Sequence, residues 1–268
     1  MQDYMSLKPK DLIISNLKWK YLIRAILRGK NLIVVGPSGC AKTMAARAAA
    51  AALERPFERF NCGSTQDARA TLIGNTVYRK DTGTILCRSP FVKAITTPHT
   101  VILLDELTRG SHDAWNIMMT VTDPMQRYLR LDEDEDGVVI NVAEGVTFIA
   151  TANIGNEFTA TKVLDKALSR RFPIKLEMAP LSGKELMQLF FIRFPNTTRE
   201  QEILFKTLAK ISDDLLVQSK MEDSPISSFI SPANMVEMAE LVLDGFTMEE
   251  IAEVAIYTEY TDDGVAVS

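Results

Sequence analysis

Short runs of purely apolar residues, separated by stretches of helical spacing, set the rhythm of the first two thirds of this chain. The first run, Leu32-Ile33-Val34-Val35, ends at Gly36, and an alanine-rich stretch over 43–54 reads as a helix stopped by Pro56. Residues 57–61, 101–104, 146–151 and 174–178 read as further strands. Val101-Ile102-Leu103-Leu104 has no polar alternation, the pattern of a strand covered on both faces. Such runs alternating with helices predict an α/β fold built on a parallel sheet.

Two segments break the rhythm. Residues 76–87 contain Asp81-Thr82-Gly83 as a turn, and residues 127–142 alternate around an acidic stretch, 132–136, closed by Gly137. Both predict β-hairpins inserted in the α/β frame. After Pro180 the period becomes helical over 182–194, 198–218, 231–243 and 247–257, with Ser182, Thr198, Ser231 and Thr247 as N-caps. Ser231-Pro232 also places proline at a first helical position, where its missing N–H costs nothing. The expected division is an α/β domain over 1–180 and a small α-helical domain over 181–268.

Composition narrows the class. The chain has 268 residues, enough to bury roughly three quarters of its unfolded surface without a disulfide or structural metal. At 46% hydrophobic residues and a net charge of -5 it is not a disordered chain. No apolar run reaches the length of a membrane span, and the first ten residues lack the apolar core of a signal peptide. Cys40, Cys62 and Cys87 are odd in number and form no CxxC pair, which favours reduced thiols and a cytoplasmic setting. The acidic balance argues against a general nucleic-acid binder, while leaving room for a local basic patch.

The candidate chemistry starts at Gly36-Pro37-Ser38-Gly39-Cys40-Ala41-Lys42-Thr43, set between a strand and a helix. Consecutive backbone N–H groups at a helix start make a phosphate cradle, and glycines allow its tight turn. Lys42 is placed to reach the β- and γ-phosphates of a nucleotide and the Thr43 hydroxyl to bind Mg²⁺. One departure is Ala41, where a second glycine is usual. Asp105 and Glu106 end the all-apolar run at 101–104; paired carboxylates there are costly unless they hold a cation or do chemistry. Asp105 then holds Mg²⁺ through water, and Glu106 orients the attacking water. Asn153, after the strand at 146–151, reads equally as a turn residue before Gly155 and as an amide aimed at that water or the γ-phosphate. Arg170 and Arg171 precede Pro173; they suit a neighbour's γ-phosphate, and they also suit the C-terminus of their own helix.

The order of these motifs resembles the AAA+ ATPases, specifically the MoxR and dynein-related group that includes the NorQ, CbbQ and CobS types. Ala41 before the loop lysine, Asp105-Glu106-Leu107-Thr108-Arg109, Ala150-Thr151-Ala152-Asn153 and Leu164-Asp165-Lys166-Ala167-Leu168-Ser169-Arg170-Arg171-Phe172 all match that group. The likeness runs from about residue 12 to 262. It implies a nucleotide-binding core over 1–180 and a lid over 181–268, with ATP and Mg²⁺ as cofactors. It further implies Asn153 as sensor 1, Arg171 as the arginine finger with Arg170 as a second, and Arg109 at a subunit interface. Implied too are a homo-oligomeric ring, expected to be a hexamer, and chaperone-like remodelling of a protein partner. In this group that partner is commonly a separate von Willebrand factor A protein. The sensor 2 arginine that normally follows Ser-Pro in the lid is replaced by Ala233-Asn234. That gap keeps a nucleotide-gated scaffold with negligible turnover as an alternative, beside a DNA-directed motor or loader and a small-molecule P-loop kinase.

Other signals are weaker. Asp132, Asp134, Asp136 and Gly137 imitate the start of a calcium loop, but its closing acid falls on Ala143. His99 and His112 have no ligand spacing, and Trp115, Met118 and Met119 at helical spacing read as core. Tyr78 and Tyr128 read either as contacts facing a pore or as packing within their hairpins.

Overall fold

The computed structural model describes residues 3–64, 67–81, 83–131, 137–153, 166–221, 224, 226 and 229–257. Helix α1 (Asn16–Leu27) leads to strand β1 (Leu32–Val35), α2 (Lys42–Ala52), β2 (Phe57–Asn61) and the short α3 (Ala68–Leu72). A first hairpin, β3 (Gly74–Arg79) and β4 (Gly83–Arg88), precedes α4 (Pro90–Thr96), β5 (Val101–Asp105) and α5 (His112–Val121). A second hairpin, β6 (Tyr128–Leu131) and β7 (Val138–Asn141), precedes β8 (Thr147–Ala152), α6 (Lys166–Arg170) and β9 (Ile174–Glu177). The rest is helical: α7 (Gly183–Arg193), α8 (Arg199–Gln218), α9 (Pro232–Leu243) and α10 (Met248–Ala255).

Five strands form one parallel sheet in the order β2-β5-β8-β1-β9. All five residues of β5 and all six of β8 are buried, which accounts for the unbroken apolar run at 101–104 and for the lack of charged residues in β8. Because successive strand side chains point to opposite faces, one run feeds two cores. Ile102, Leu104, Phe148 and Ala150 pack on one side with residues of α3, α4 and α5, among them Trp115 and Met118. Val101, Leu103 and Ile149 pack on the other with α1 and the alanine face of α2. Each fully buried Leu or Ile in this layer contributes about 1.5–3 kcal/mol relative to exposure.

Helix α1 buries Trp19, Leu22, Ile23, Ala25 and Ile26, a helical spacing that the strand-centred reading of this region passes over. The two hairpins form as expected, with Tyr78 facing Thr84 and Tyr128 facing Asn141. Tyr78 is 72% exposed, so packing does not hold it; Tyr128 is half-buried. Met119 is half-buried, less interior than Trp115 and Met118.

In the helical region all four expected caps form, Ser182, Thr198, Ser231 and Thr247 accepting from the amides of Glu185, Gln201, Asn234 and Glu250. Each such cap is worth about 1 kcal/mol. This region has its own hydrophobic cluster, centred on Phe190, Phe205, Met235 and Met238.

Candidate functional site

The loop at 36–43 leaves the C-terminal end of β1 and enters α2. Gly36 and Gly39 hold φ of 152° and 74°. A Cβ on Gly36 would sit 2.1 Å from the Met178 carbonyl oxygen, and one on Gly39 would sit 2.5 Å from Cβ of Ser231, the cap of α9. The loop is therefore clamped between β9 and the helical region, and glycine is the residue that fits. Ala41 also adopts the left-handed region, φ 56°, where a Cβ costs roughly 1–2 kcal/mol. Pro37 is half-buried, Ser38 exposed and Cys40 buried.

Lys42 is the first residue of α2 and is only 8% exposed. Its ammonium donates to the carbonyls of Gly36 (2.8 Å) and Pro37 (2.5 Å). Burial pushes its pKa below the ordinary lysine value, while Cys40, Asp105 and Glu106 pull it back up. The Thr43 hydroxyl lies 3.3 Å from Oδ2 of Asp105. Asp105 ends β5 almost fully buried, and Oδ2 accepts from Nε (2.8 Å) and Nη2 (2.6 Å) of Arg59 on β2. Its other oxygen, Oδ1, accepts from the hydroxyl of Thr151 on β8, which in turn accepts from the Glu106 amide at 2.9 Å.

Glu106 turns out of the strand with φ 53°, half-exposed, its Oε2 3.7 Å from Nη1 of Arg109. Arg109 thus faces its own chain's carboxylate here. Gly63 makes room for Glu106, since a Cβ there would lie 2.6 Å from Oε2. Cys62 donates its amide to the Asp105 carbonyl; burial, then the Asp105 and Glu106 charges, push its thiol up to about 12. Asn153 directly follows β8, which lies between β5 and β1, so it emerges half-buried between the carboxylates and the loop.

Arg170 and Arg171 lie at the opposite end of the sheet's strands, just before β9. The four residues of that strand put about 13 Å between this end and the loop side. Arg171 pairs with Asp123 at 3.0 Å and donates to the carbonyl of Ala167 at 3.2 Å. The helix-end reading of Arg171 therefore holds within the single chain, while Arg170 is exposed. Both line a cavity of about 590 Å³ together with Arg28, Lys30, Arg55 and Arg127. This is the local basic patch that net charge left open.

A second cavity, of about 460 Å³, adjoins Gly39, Cys40 and Ala41 and is walled by Ile14, Met44, Met178, Leu181 and Val236. The pair Asp11–Arg193, 2.9 Å, joins the N-terminal segment to α7 across its lining. A glycine-bearing loop at the start of α2, beside an apolar cavity, suits a nucleotide. Hard oxygen donors, the Thr43 hydroxyl and the Asp105 carboxylate, fit Mg²⁺, which typically takes one or two carboxylates plus phosphates. Among the described residues no cluster of three or more His, Cys, Asp or Glu is shaped to hold a metal alone.

Arg59 and Thr151 escape the sequence reading of the site. Thr151 sits in the quoted Ala150-Thr151-Ala152-Asn153 string without a role; Arg59 is hidden in a segment that reads only as a strand. The calcium-loop residues Asp132, Asp134 and Asp136, and Gly155, Leu164 and Asp165, lie outside the described residues. His112 packs edge-on against Trp115 at 5.3 Å, and His99 is exposed.

Comparison with known proteins bears on the family and the fold. A family profile described as the AAA domain, dynein-related subfamily, matches residues 31–172, just over half of the chain. BssE of Thauera aromatica, whose name proposes a chaperone, is 30% identical over 237 residues, covering 85% of this chain and 75% of its own. The uncharacterized YojN of Bacillus subtilis is 27% identical over 200 residues, covering 74% and 62%. Among solved structures, the RuvB Holliday junction branch migration motor of Thermotoga maritima superposes with TM-score 0.53 at 15% identity, over 97% of this chain and 76% of that one. NtrX of Brucella abortus, solved with ADP, gives 0.52 at 14% identity; this chain covers 61% of it and is itself covered over 91%. The structural likenesses speak for the fold alone, a P-loop AAA+ core followed by a helical region. The profile and BssE make this chain a member of the AAA+ family, in its dynein-related, MoxR-type branch.

Proposed function

We propose that the protein is an ATP hydrolase that uses Mg²⁺ and works as a homo-oligomeric ring, taken as six copies, to remodel a protein partner in the cytoplasm. The observation that carries the reading is the division of chemistry between the two ends of the sheet's strands. Lys42, Thr43, Asp105, Glu106 and Asn153 converge at one end, and Arg170 and Arg171 stand at the other. Residues 1–180 form the nucleotide-binding domain in this proposal and residues 181–268 the lid.

Lys42 exchanges its two carbonyl acceptors for the β- and γ-phosphates, and the amides of 36–43 receive the remaining phosphate oxygens. Bound Mg²⁺ neutralises charge on those oxygens. Asp105 and Thr43 orient toward it, and Glu106 holds and polarises the attacking water with Asn153 alongside. Arg171 leaves Asp123, and with Arg170 reaches the γ-phosphate of a neighbouring copy. The purine sits in the apolar cavity beside Met44 and Val236, so its occupancy bears on both the core and the lid. A von Willebrand factor A protein is the proposed partner, and nucleic acid is not.

The test is the ATPase rate per protomer against protein concentration, with Glu106→Gln and Arg171→Ala in parallel. A rate that rises with concentration and vanishes in both variants is expected. A concentration-independent rate that survives Arg171→Ala overturns the shared-site mechanism.

A further inference from the structure

The buried carboxylate of Asp105 already has a cation. Arg59, from the neighbouring strand β2, puts two N–H groups on Oδ2 at 2.6 and 2.8 Å, and Thr151 takes Oδ1. A carboxylate offers about four lone-pair sites. Three are therefore used, and the hydroxyl of Thr43, on the side of the phosphate loop, reaches the two oxygens only at a long 3.3 Å (Oδ2) and 3.5 Å (Oδ1). Arg59 is held by register: β2 pairs with β5 so that Asn61 faces Asp105 and Arg59 lies one pleat back, on the same face of the strand as Asn61. Its side chain is 48% exposed, whereas that of Asp105 is 7% exposed. The guanidinium can swing into water and be hydrated there; the carboxylate cannot.

We propose that Arg59 occupies Asp105 as a built-in counter-ion when no metal is present, and must release Oδ2 before a divalent cation can be held there. This rests on the reading of Asp105 as the metal-bearing carboxylate. Arg59 is then a positioning residue that sets how readily the site fills. It keeps the buried charge paired in the empty chain, and it opposes metal entry by the same contact.

The test is Mn²⁺ binding, followed by electron paramagnetic resonance, to the full chain with ATP in a Glu106→Gln background that blocks turnover. Removing the guanidinium in Arg59→Gln is expected to tighten Mn²⁺ by about 3- to 30-fold, the range for losing one half-exposed charged hydrogen-bonded pair. Arg59→Lys, which keeps charge but not the two-pronged contact, should fall between and guards against a folding artefact. Unchanged or weaker Mn²⁺ binding in Arg59→Gln overturns the proposal. Asp105→Asn separates the two readings. If it abolishes Mn²⁺ binding while Arg59→Gln changes nothing, only the competition fails; if it leaves Mn²⁺ binding intact, the assignment of Asp105 fails with it.

Discussion

The hydroxyl of Thr151 on β8 donates to the carboxylate of Asp105 on β5. Since the same oxygen accepts from the Glu106 amide, one side chain fixes both members of the acidic pair.

Thr151→Val keeps the shape and removes that bridge, leaving a buried carboxylate oxygen and an amide without their partner. A loss of about 1–3 kcal/mol is expected in denaturant unfolding, with reduced ATPase activity. Thr151→Ser should retain most of both. A valine variant as stable as the parent would show that the bridge is dispensable.

The loop glycines and Ala41 should respond oppositely to exchange. Gly39→Ala meets Ser231 and a positive φ at once, so about 1–3 kcal/mol of stability should go, together with nucleotide binding. Ala41→Gly relieves the left-handed penalty but loosens the unfolded chain, and should stay within about 1 kcal/mol of the parent. Thermal melts with and without ATP compare the two.

Cys62 should resist alkylation in the folded protein. Its thiol, raised to about 12, stays protonated at pH 8, whereas half-buried Cys87 is accessible. Mass spectrometry after a short iodoacetamide pulse should find Cys87 modified well before Cys62, with Cys62 appearing only in denaturant. Equal labelling would contradict the burial of the strand end.

Acid sensitivity should be traceable to Asp123. Its carboxyl is held below the usual range by the amides of Met125 and Gln126, with Arg171 adding to them. A depressed folded pKa gives stability that is present above the unfolded value and lost as pH falls through the folded one. Asp123→Asn should therefore lower the neutral-to-alkaline plateau of a stability-against-pH curve without changing its slope there, and flatten the acid limb. An acid limb as steep as the parent's would place the sensitivity elsewhere.

Most of the sheet was legible because burial on both faces leaves β5 and β8 with little polar alternation to confuse the reading. The four C-terminal helices were equally plain, since Ser182, Thr198, Ser231 and Thr247 announce their starts. What escaped depends on topology. Arg59 meets Asp105, 46 residues away, only because β2 lies beside β5, and Phe57-Glu58-Arg59-Phe60-Asn61 taken alone is an ordinary strand. Asp123 and Arg171, 48 residues apart, are joined in the same way by the packing of α5 near α6. The helical spacing of Trp19, Leu22, Ile23 and Ile26 was present in the chain, as was the Ser89-Pro90 start of α4, and the strand rhythm obscured both.

A parallel sheet has two unlike strand ends, and that polarity bears on symmetry. An association about a two-fold axis uses one patch on both copies, with residue i meeting residue j and j meeting i. Such a pair completes both sites only where that single patch holds the loop end and the arginine end together. Here about 13 Å of strand separates the two ends. If Arg170 and Arg171 serve a neighbour from a surface separate from the loop's own, the copies meet head to tail, in a closed ring or an open helical succession.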